Sequence, residues 1–439
     1  MRMRRSERIL TRNAARMSQT IAPIAASCVA LAAAFVASLA GAHPPHAEGR
    51  SLQLYRLRLP NTWAAALAPD GHHIAAIIIR PLTSGGRQRW QDRLQVWDFR
   101  TRELLTDRGL AVEDTPADST SRSLQYTPDG RHLIYCDGLS VHVFGASNYR
   151  EIRSFPAIPP STPGARWEAR RTAISPGGGK IAVKEVQWDQ GGVTGRELLS
   201  VYSLKSGVVL RKWDLQPATI GGFAWSPDGR SLAVTTVPDY DDYCPHQKCD
   251  LAELRKLPDL RILALEGGAI AVATGYEETW LHYHWWNRWW GYGITDDPAA
   301  DVAFLGNSTV ATVSGGPAFG PGKKDDLRIW DSTTGKLLRQ IASPPNGTHY
   351  QVRVSQNGRV LLAYVGKDHR NENFLDTTQQ RFRLWDTATW QVLFTSPAVP
   401  IPKVTPLGQR AHFDLSADGR LVMVWWPRSS APIRVYQWH

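Results

Sequence analysis

The sequence lacks the short motifs that identify most catalytic, metal and cofactor sites. It contains no H-E-x-x-H metalloprotease motif, no G-x-S-x-G nucleophile elbow and no C-x-x-C-H haem-attachment motif. A glycine-rich stretch that ends at Lys324 approaches a phosphate-binding loop, but lysine stands where a Ser or Thr has to reach magnesium. These absences leave no catalytic residue, metal ligand or cofactor that the sequence can assign.

A helical period and a large excess of one charge are also missing. No helical pattern comparable in length with the strand pattern described below appears after residue 42. The net charge is +11, and the first 42 residues, with six arginines and one glutamate, account for +5 of it. The remaining +6 favours anionic surfaces but gives no argument for a nucleic-acid partner.

Residues 1–42 have the features of an export signal. Six arginines precede an apolar run over residues 21–39, and an A-x-A cleavage pattern ends at Ala42. An uncleaved membrane anchor is the alternative, because the run is nearly long enough to span a bilayer. Its alanine-rich composition and the cleavage pattern favour removal. We therefore expect a signal peptide over residues 1–42, a linker over residues 43–51, and a periplasmic or extracellular mature chain.

The rest of the chain repeats one pattern seven times. In each copy an apolar strand runs into a tight turn, a second apolar strand follows, and a third strand ends in Trp-Asp or an equivalent pair. The first turns lie at residues 70–71, 129–130, 177–178, 228–229, 306–307, 357–358 and 418–419. Asp-Gly and Asn-Gly pairs between β-rich runs are a strong hairpin signal, since these residues tolerate positive φ.

The second half of each copy is a strand, a tight turn and a further strand. First and second halves alternate without a gap, which predicts an all-β, seven-bladed β-propeller of four-stranded antiparallel blades over residues 52–439. A repeat architecture also explains how about 400 residues form one domain, because each blade buries its face against the next.

Three copies carry the Trp-Asp pair, at Trp97-Asp98, Trp330-Asp331 and Trp385-Asp386. Together with the Pro-Asp-Gly turns, these residues resemble the WD-repeat family, and the looser xPDGxxLA repeats are similar to those of exported bacterial propellers. The resemblance implies the propeller fold and says little about function. The family's Gly-His dipeptide is absent, so its buried His-Ser-Asp-Trp network is not expected. We interpret the three aspartates as turn-forming residues.

The closure of the ring also follows from the pattern. The last copy stops after its third strand, residues 433–438, and an unassigned strand at residues 52–59 precedes the first copy. We predict that this N-terminal strand completes the seventh blade and thereby removes exposed strand edges.

Extra residues collect in two of the four connections of each copy, between the second and third strands and between blades. In a four-stranded meander these connections emerge on one side, which we name the loop face; the tight turns lie on the opposite turn face. The expected long loops are residues 81–91, 156–168, 186–196, 238–259, 276–298, 314–325 and 366–380. Long loops on a rigid scaffold commonly bind partners, although surface insertions are also thermodynamically cheap and tolerated by drift.

The insertion at residues 238–259 contains Cys244 and Cys249. In an oxidising compartment a local disulfide between them is the simplest interpretation. A zinc site that uses both cysteines, His246 and either His282 or His284 has suitable ligand types but no recognised spacing. Reduced thiols are the third alternative. Cys136 lies on a strand, and we expect it to be a small buried apolar residue.

The insertion at residues 276–298 is rich in tryptophan. Indole rings suit interface hot spots, sugar stacking and the bilayer interface. The expected contact residues are Trp280, Trp285, Trp286, Arg288, Trp289 and Trp290. Alternatively the rings fold down as an internal plug on the channel, and membrane contact is a further, less favoured reading. Basic residues elsewhere on the loop face would attract an acidic partner, or simply form solvated surface: Arg87, Arg89, Lys323, Lys324, Lys367 and Arg370.

These patterns favour a monomeric extracytoplasmic binding or scaffold protein that engages a protein or envelope polymer through the loop face. A propeller enzyme with its site at the channel mouth, of hydrolase, lactonase or oxidoreductase type, is the alternative, and it would need convergent carboxylates, histidines or a metal there. A purely structural module within a larger envelope complex is the third reading.

Overall fold

The computed structural model of the chain describes residues 52–84, 87–113, 122–157, 166–188, 194–215, 218–238, 260–267, 269–272, 301–313, 327–342, 347–367, 380–399 and 411–439. The expected contact residues of the tryptophan-rich insertion, and both Cys244 and Cys249, lie outside these ranges. No helix within them is long and apolar enough to cross a membrane.

The strands follow in chain order as β1 (Leu52–Leu57), β2 (Thr62–Leu67), β3 (His73–Ser84), β4 (Arg87–Asp98), β5 (Glu103–Glu113), β6 (Ser123–Tyr126), β7 (His132–Cys136), β8 (Ser140–Gly145), β9 (Glu151–Pro156), β10 (Arg166–Ile174), β11 (Lys180–Trp188), β12 (Thr194–Ser203), β13 (Val209–Asp214), β14 (Ala218–Trp225), β15 (Ser231–Pro238), β16 (Leu260–Ala264), β17 (Ala269–Val272), β18 (Asp301–Gly306), β19 (Thr309–Val313), β20 (Leu327–Asp331), β21 (Leu337–Ile341), β22 (Gly347–Val354), β23 (Val360–Lys367), β24 (Arg381–Asp386), β25 (Val392–Thr395), β26 (His412–Leu415), β27 (Leu421–Trp425) and β28 (Ile433–Trp438).

These strands form seven four-stranded antiparallel sheets, as the repeat predicts. Blade 1 is β2–β5, blade 2 is β6–β9, blade 3 is β10–β13, blade 4 is β14–β17, blade 5 is β18–β21, blade 6 is β22–β25, and blade 7 is β26–β28 with β1. The first strands of neighbouring blades contact one another all around the ring, from β2 through β26 and back to β2. The first strand of each blade therefore surrounds the central channel.

The N-terminal strand closes the ring, which confirms the prediction from the unassigned strand. β1 pairs with β28 in antiparallel register from Leu52 opposite Trp438 to Leu57 opposite Ile433. Leu57 is buried in a core cluster shared by blades 7 and 1. The chain ends are thus joined through main-chain hydrogen bonds and apolar packing, and the outer edge of β28 is covered.

In blades 2, 4, 6 and 7 the turn between the first and second strands is held by a hydroxyl, a carboxylate or amide, and a glycine. In blade 4, Ser226 donates its hydroxyl to Asp228 at 2.6 Å and accepts the Ser231 amide at 2.9 Å, while Gly229 takes a φ of 65°. Blades 2, 6 and 7 repeat this arrangement. Glycine is needed because residues with a Cβ rarely adopt positive φ.

The Trp-Asp aspartates form turns, as interpreted from the sequence. The Asp98 carboxylate accepts the amides of Arg100 and Thr101, and Asp331 and Asp386 each accept two amides in the same way. In blade 5 the indole of Trp330 donates to the hydroxyl of Thr312 at 2.9 Å. This bond gives the buried indole N–H a partner within its own blade.

Apolar clusters between adjacent blades form the core. Each cluster combines side chains from two neighbouring sheets, as in the cluster of blades 2 and 3 that contains Cys136, Phe155 and Ile181. The prediction that Cys136 is a buried apolar residue is confirmed, since it is 1% exposed. Burial raises the pKa of its thiol to about 12.

Two local predictions were wrong. Residues 81–91 are not a long loop, because β3 and β4 continue as a paired hairpin up to Ser84 opposite Arg87. The two strands stay in register from Arg80 opposite Gln91 to the end of the hairpin, so the insertion lengthens the ladder of blade 1. In blade 5 the turn falls on Asn307 and Ser308, one residue later than predicted, because Gly306 pairs with Thr309.

Candidate functional site

A buried carboxylate joins three blades across the central channel. Asp301, the first residue of β18 in blade 5, is fully buried. It accepts Nη2 of Arg171 at 2.5 Å, Nη1 of Arg353 at 2.6 Å and the amide of Val352 at 3.2 Å. Arg171 lies on β10 of blade 3 and Arg353 on β22 of blade 6. We name Arg171, Asp301 and Arg353 the channel cluster.

Arg171 reaches past blade 4 to contact Asp301. Arg171 lies four residues before Ser175 at the end of its strand, and the residue four before Ser226 in blade 4 is Gly222. Gly222 has no side chain to occupy the channel at this level. The guanidinium also lies over the Phe223 ring, 5.6 Å from its centroid. A glycine in one blade thus allows an arginine of the preceding blade to cross to the following one.

The channel cluster keeps a net positive charge. Burial favours the neutral form of Asp301, but the charges of Arg171 and Arg353 outweigh it and lower the pKa of Asp301 to about 2. The carboxylate is therefore ionised at neutral pH and balances one of two guanidinium charges. The Arg171 and Arg353 side chains remain 25% and 35% exposed. Each guanidinium has five N–H donors, so donors beyond those bound to Asp301 are available.

Polar groups on neighbouring first strands extend this lining. Asp414 of blade 7 accepts the amide of Leu67 at 2.9 Å, and burial raises the pKa of Asp414 above its usual range. In blade 2, Gln125 donates to the Thr172 carbonyl of blade 3 at 2.7 Å. The Oε1 atom of Gln351, two residues before Arg353, is buried and accepts no hydrogen bond within the described part of the chain. The channel is therefore polar on several sides.

A second charged group lies near the loop-face ends of blades 1 and 2. Asp92 on β4 and Arg122, just before β6, are both nearly fully buried and form a two-point contact, with Nε at 2.8 Å and Nη2 at 3.2 Å. The Tyr135 hydroxyl donates to the same carboxylate. The Arg122 guanidinium lies 4.9 Å from the centroid of the Trp63 ring, and Arg428 lies 4.1 Å from it.

This second group links three blades at the channel entrance. Trp63 begins blade 1, Arg122 begins blade 2, and Arg428 follows β27 of blade 7 and donates its amide to the Thr62 carbonyl at 2.8 Å. The Asp92–Arg122 pair is neutral overall and sealed from water, so it holds blades together. The channel cluster, with exposed donors and an unbalanced charge, is the group that can bind a ligand.

The sequence did not reveal the channel cluster, although it contains a signal for one of its three residues, Arg353. The first strands can be aligned on the residue before their turns, which is Ser or Thr in blades 2, 3, 4, 6 and 7 and Ala68 in blade 1; blades 1, 3 and 4 then place alanine two residues earlier. The same position holds Gln125, Arg353 and Asp414 in blades 2, 6 and 7. Polar residues at a small-residue position of an inner strand indicate a lined channel.

The described residues contain no group of three or more His, Cys, Asp or Glu side chains arranged to hold a metal ion. The fold defines the chain as a seven-bladed β-propeller with repeated blades. No protein-family model matches the sequence, and no curated protein matches it either.

Proposed function

We propose that this chain is an exported binding protein of the WD-repeat type, which engages a protein or envelope polymer through its loop face and holds an acidic group of that partner in its channel. The channel cluster supports this proposal, because two guanidiniums share one buried carboxylate and leave a positive charge with unused donors. Guanidinium groups bind carboxylates and phosphates through paired, charge-assisted hydrogen bonds.

The tryptophans and the basic residues of the long loops remain the expected outer contacts. Trp285, Trp286, Trp289 and Trp290 would supply apolar contact area beside the positively charged channel cluster. Tryptophan and arginine are enriched among the few residues that carry most of the binding energy of an interface. The signal peptide expected over residues 1–42 supports an interaction outside the cytoplasm, with an anionic envelope polymer or an acidic protein as partner.

The experiment is affinity capture by the tagged, exported protein from its own envelope fraction, with four variants compared at matched expression. One changes Arg353 to Gln, which leaves Asp301 bound to Arg171. A second changes all four tryptophans to alanine. The control is Arg420→Gln, an exposed arginine on the turn face. The fourth combines the first two.

We expect a partner that the wild type and Arg420→Gln capture equally, that Arg353→Gln captures weakly, and that the tryptophan variant loses. A partner captured equally by all variants, each shown to be folded by circular dichroism, would contradict binding at the loop face. Loss in the tryptophan variant alone would overturn the role of the channel cluster.

A further inference from the structure

A cavity on the turn face lies between blades 5 and 6, away from the channel. Its volume is about 420 Å³, which is within the range of small-ligand pockets. Three apolar side chains (Leu305, Ile329 and Leu338), Trp390, Arg339, two threonines and Gly306 line it. The cavity therefore presents both polar and apolar surface, and Arg339 is the one cation among the residues that line it.

The short turn of blade 5 leaves this space open. In most blades the first turn is built on a Pro-Asp-Gly or similar sequence, but blade 5 turns through Asn307 and Ser308 alone. A Cβ added to Gly306 would meet no atom within 4 Å. At the neighbouring turn of blade 6, a Cβ added to Gly358 would meet only the carbonyl oxygen of Leu305, at 3.1 Å. The space beside Gly306 is thus left unfilled.

Trp390 borders this space in a backbone conformation that favours glycine. Its φ is 61°, and the equivalent residues of blades 3 and 5 are Gly207 and Gly335, with φ values of 72° and 70°. Tyr149 also has positive φ at this position in blade 2, but its hydroxyl contacts Tyr126 of the same blade. A bulky residue in the left-handed region is strained, and such strain is concentrated at binding sites.

Arg339 gives the cavity its charge. Its guanidinium lies 5.3 Å from the centroid of the Trp390 ring. Among the described residues no carboxylate forms an ion pair with it, and its side chain is exposed on the outer strand β21. A cation held against an indole and next to exposed Leu338 complements a molecule that carries an acidic group on an apolar body.

We propose that this cavity binds a small apolar anion, consisting of an aromatic or branched aliphatic group with one acidic substituent. The apolar part contacts Trp390, Leu338 and Leu305, and the acidic group pairs with Arg339. This site is separate from the loop face, so its test does not depend on the function proposed above.

The test is a fluorescence titration of the full mature protein with anilinonaphthalene sulfonate, and in parallel with phenylnaphthylamine, which has similar rings and no charge. Trp390→Gly should fold, because glycine occupies the same turn position in blades 3 and 5. We expect it to bind the sulfonate about tenfold more weakly, through loss of the aromatic wall. Arg102→Gly makes the same change at the equivalent turn of blade 1 and should leave binding unchanged.

Arg339→Gln separates the charge from the apolar wall. We expect it to weaken sulfonate binding about fivefold, as for a partly exposed ion pair, and to leave phenylnaphthylamine binding unchanged. Leu338→Asn alters an exposed side chain of the same wall and serves if Trp390→Gly is unstable. Wild-type sulfonate affinity in Trp390→Gly or Leu338→Asn, no binding to the wild type, or equal loss of both probes in Arg339→Gln would overturn the proposal.

Discussion

The guanidinium of Arg171 contacts the carboxylate of Asp301 at 2.5 Å across the central channel, although the two residues belong to blades 3 and 5. The contact bypasses blade 4 and ties together strands that do not pair. Removing the partners of a buried carboxylate destabilises the fold, because an uncompensated charge remains inside the protein. The channel cluster is therefore a structural element as well as a candidate binding site.

Asp301→Asn should lower the free energy of unfolding by about 2–3 kcal/mol, because two partly exposed arginines lose their common anion. Chemical denaturation monitored by tryptophan fluorescence measures this change. Asp214→Asn is the control, since Asp214 pairs with Arg196 on the exposed outer part of blade 3. A loss in Asp301→Asn no larger than that of the control would contradict a stabilising role for the channel cluster.

The same pair makes stability depend on acid. The pKa of Asp301 is lowered to about 2 in the folded protein, below the value of about 3.9 in an unfolded chain. The carboxylate therefore contributes stability that is present above pH 4 and is lost as the pH falls through 2. The expected contribution is about 2 kcal/mol. Unfolding free energies measured from pH 5 to pH 2 should converge for the wild type and Asp301→Asn; parallel curves would contradict the low pKa.

Arg122→Met should destabilise the protein by roughly 3–5 kcal/mol, because it leaves the Asp92 carboxylate buried without its countercharge. Adding Asp92→Asn should recover part of this loss by removing the uncompensated charge. Thermal unfolding of the two single variants and the double variant provides the comparison. Additive losses in the double variant would show that the two side chains do not interact as a pair.

Stability should also depend on His142 near neutral pH. Burial lowers the pKa of His142, but hydrogen bonds and charge from Asp137 and Glu151 outweigh it and raise the pKa above its ordinary value of 6.5. The stabilisation is therefore complete below pH 6.5 and is lost as the pH rises through the folded-state pKa. His142→Gln should remove this dependence. Melting temperatures from pH 6 to pH 9 that decline equally in both proteins would be the contrary result.

Deleting the chain up to Leu57 should cause aggregation, because the outer edge of β28 would then be exposed. Deletion up to Ser51 is the matched control and keeps β1. Size-exclusion chromatography and thermal unfolding compare the two proteins. A soluble, monomeric product of the longer deletion with an unchanged melting temperature would show that β1 does not hold the ring closed.

Thiol labelling should distinguish the cysteines of the mature chain. Cys136 is buried with its pKa raised to about 12, so it should react only after unfolding. Cys244 and Cys249, if bonded as expected, should be labelled only after reduction. Peptide mass spectrometry after alkylation under native, reducing and denaturing conditions reads out each cysteine. Native labelling of Cys244 or Cys249 without reductant would contradict the disulfide.

The fold was predictable because its determinants are local. The turn glycines, such as Gly229, and the turn-capping aspartates, such as Asp331, mark each hairpin within a few residues of sequence, and the alternation between them gives the strands. The ring closure was predictable because the last copy of the repeat lacks a fourth strand and one unassigned strand precedes the first copy. Because the pattern occurs seven times, the fold can be recognised even where one copy departs from it, as the shortened turn of blade 5 does.

The candidate sites were not predictable in the same way. Arg171, Asp301 and Arg353 are brought together only when the seven blades close around one axis, and no local pattern states which inner strands face each other. The cavity beside Trp390 likewise depends on the packing of one shortened turn against a neighbouring blade. Hairpins are encoded by short-range backbone preferences, whereas contacts across the channel depend on the angle and order of whole blades, which burial of the interblade cores sets.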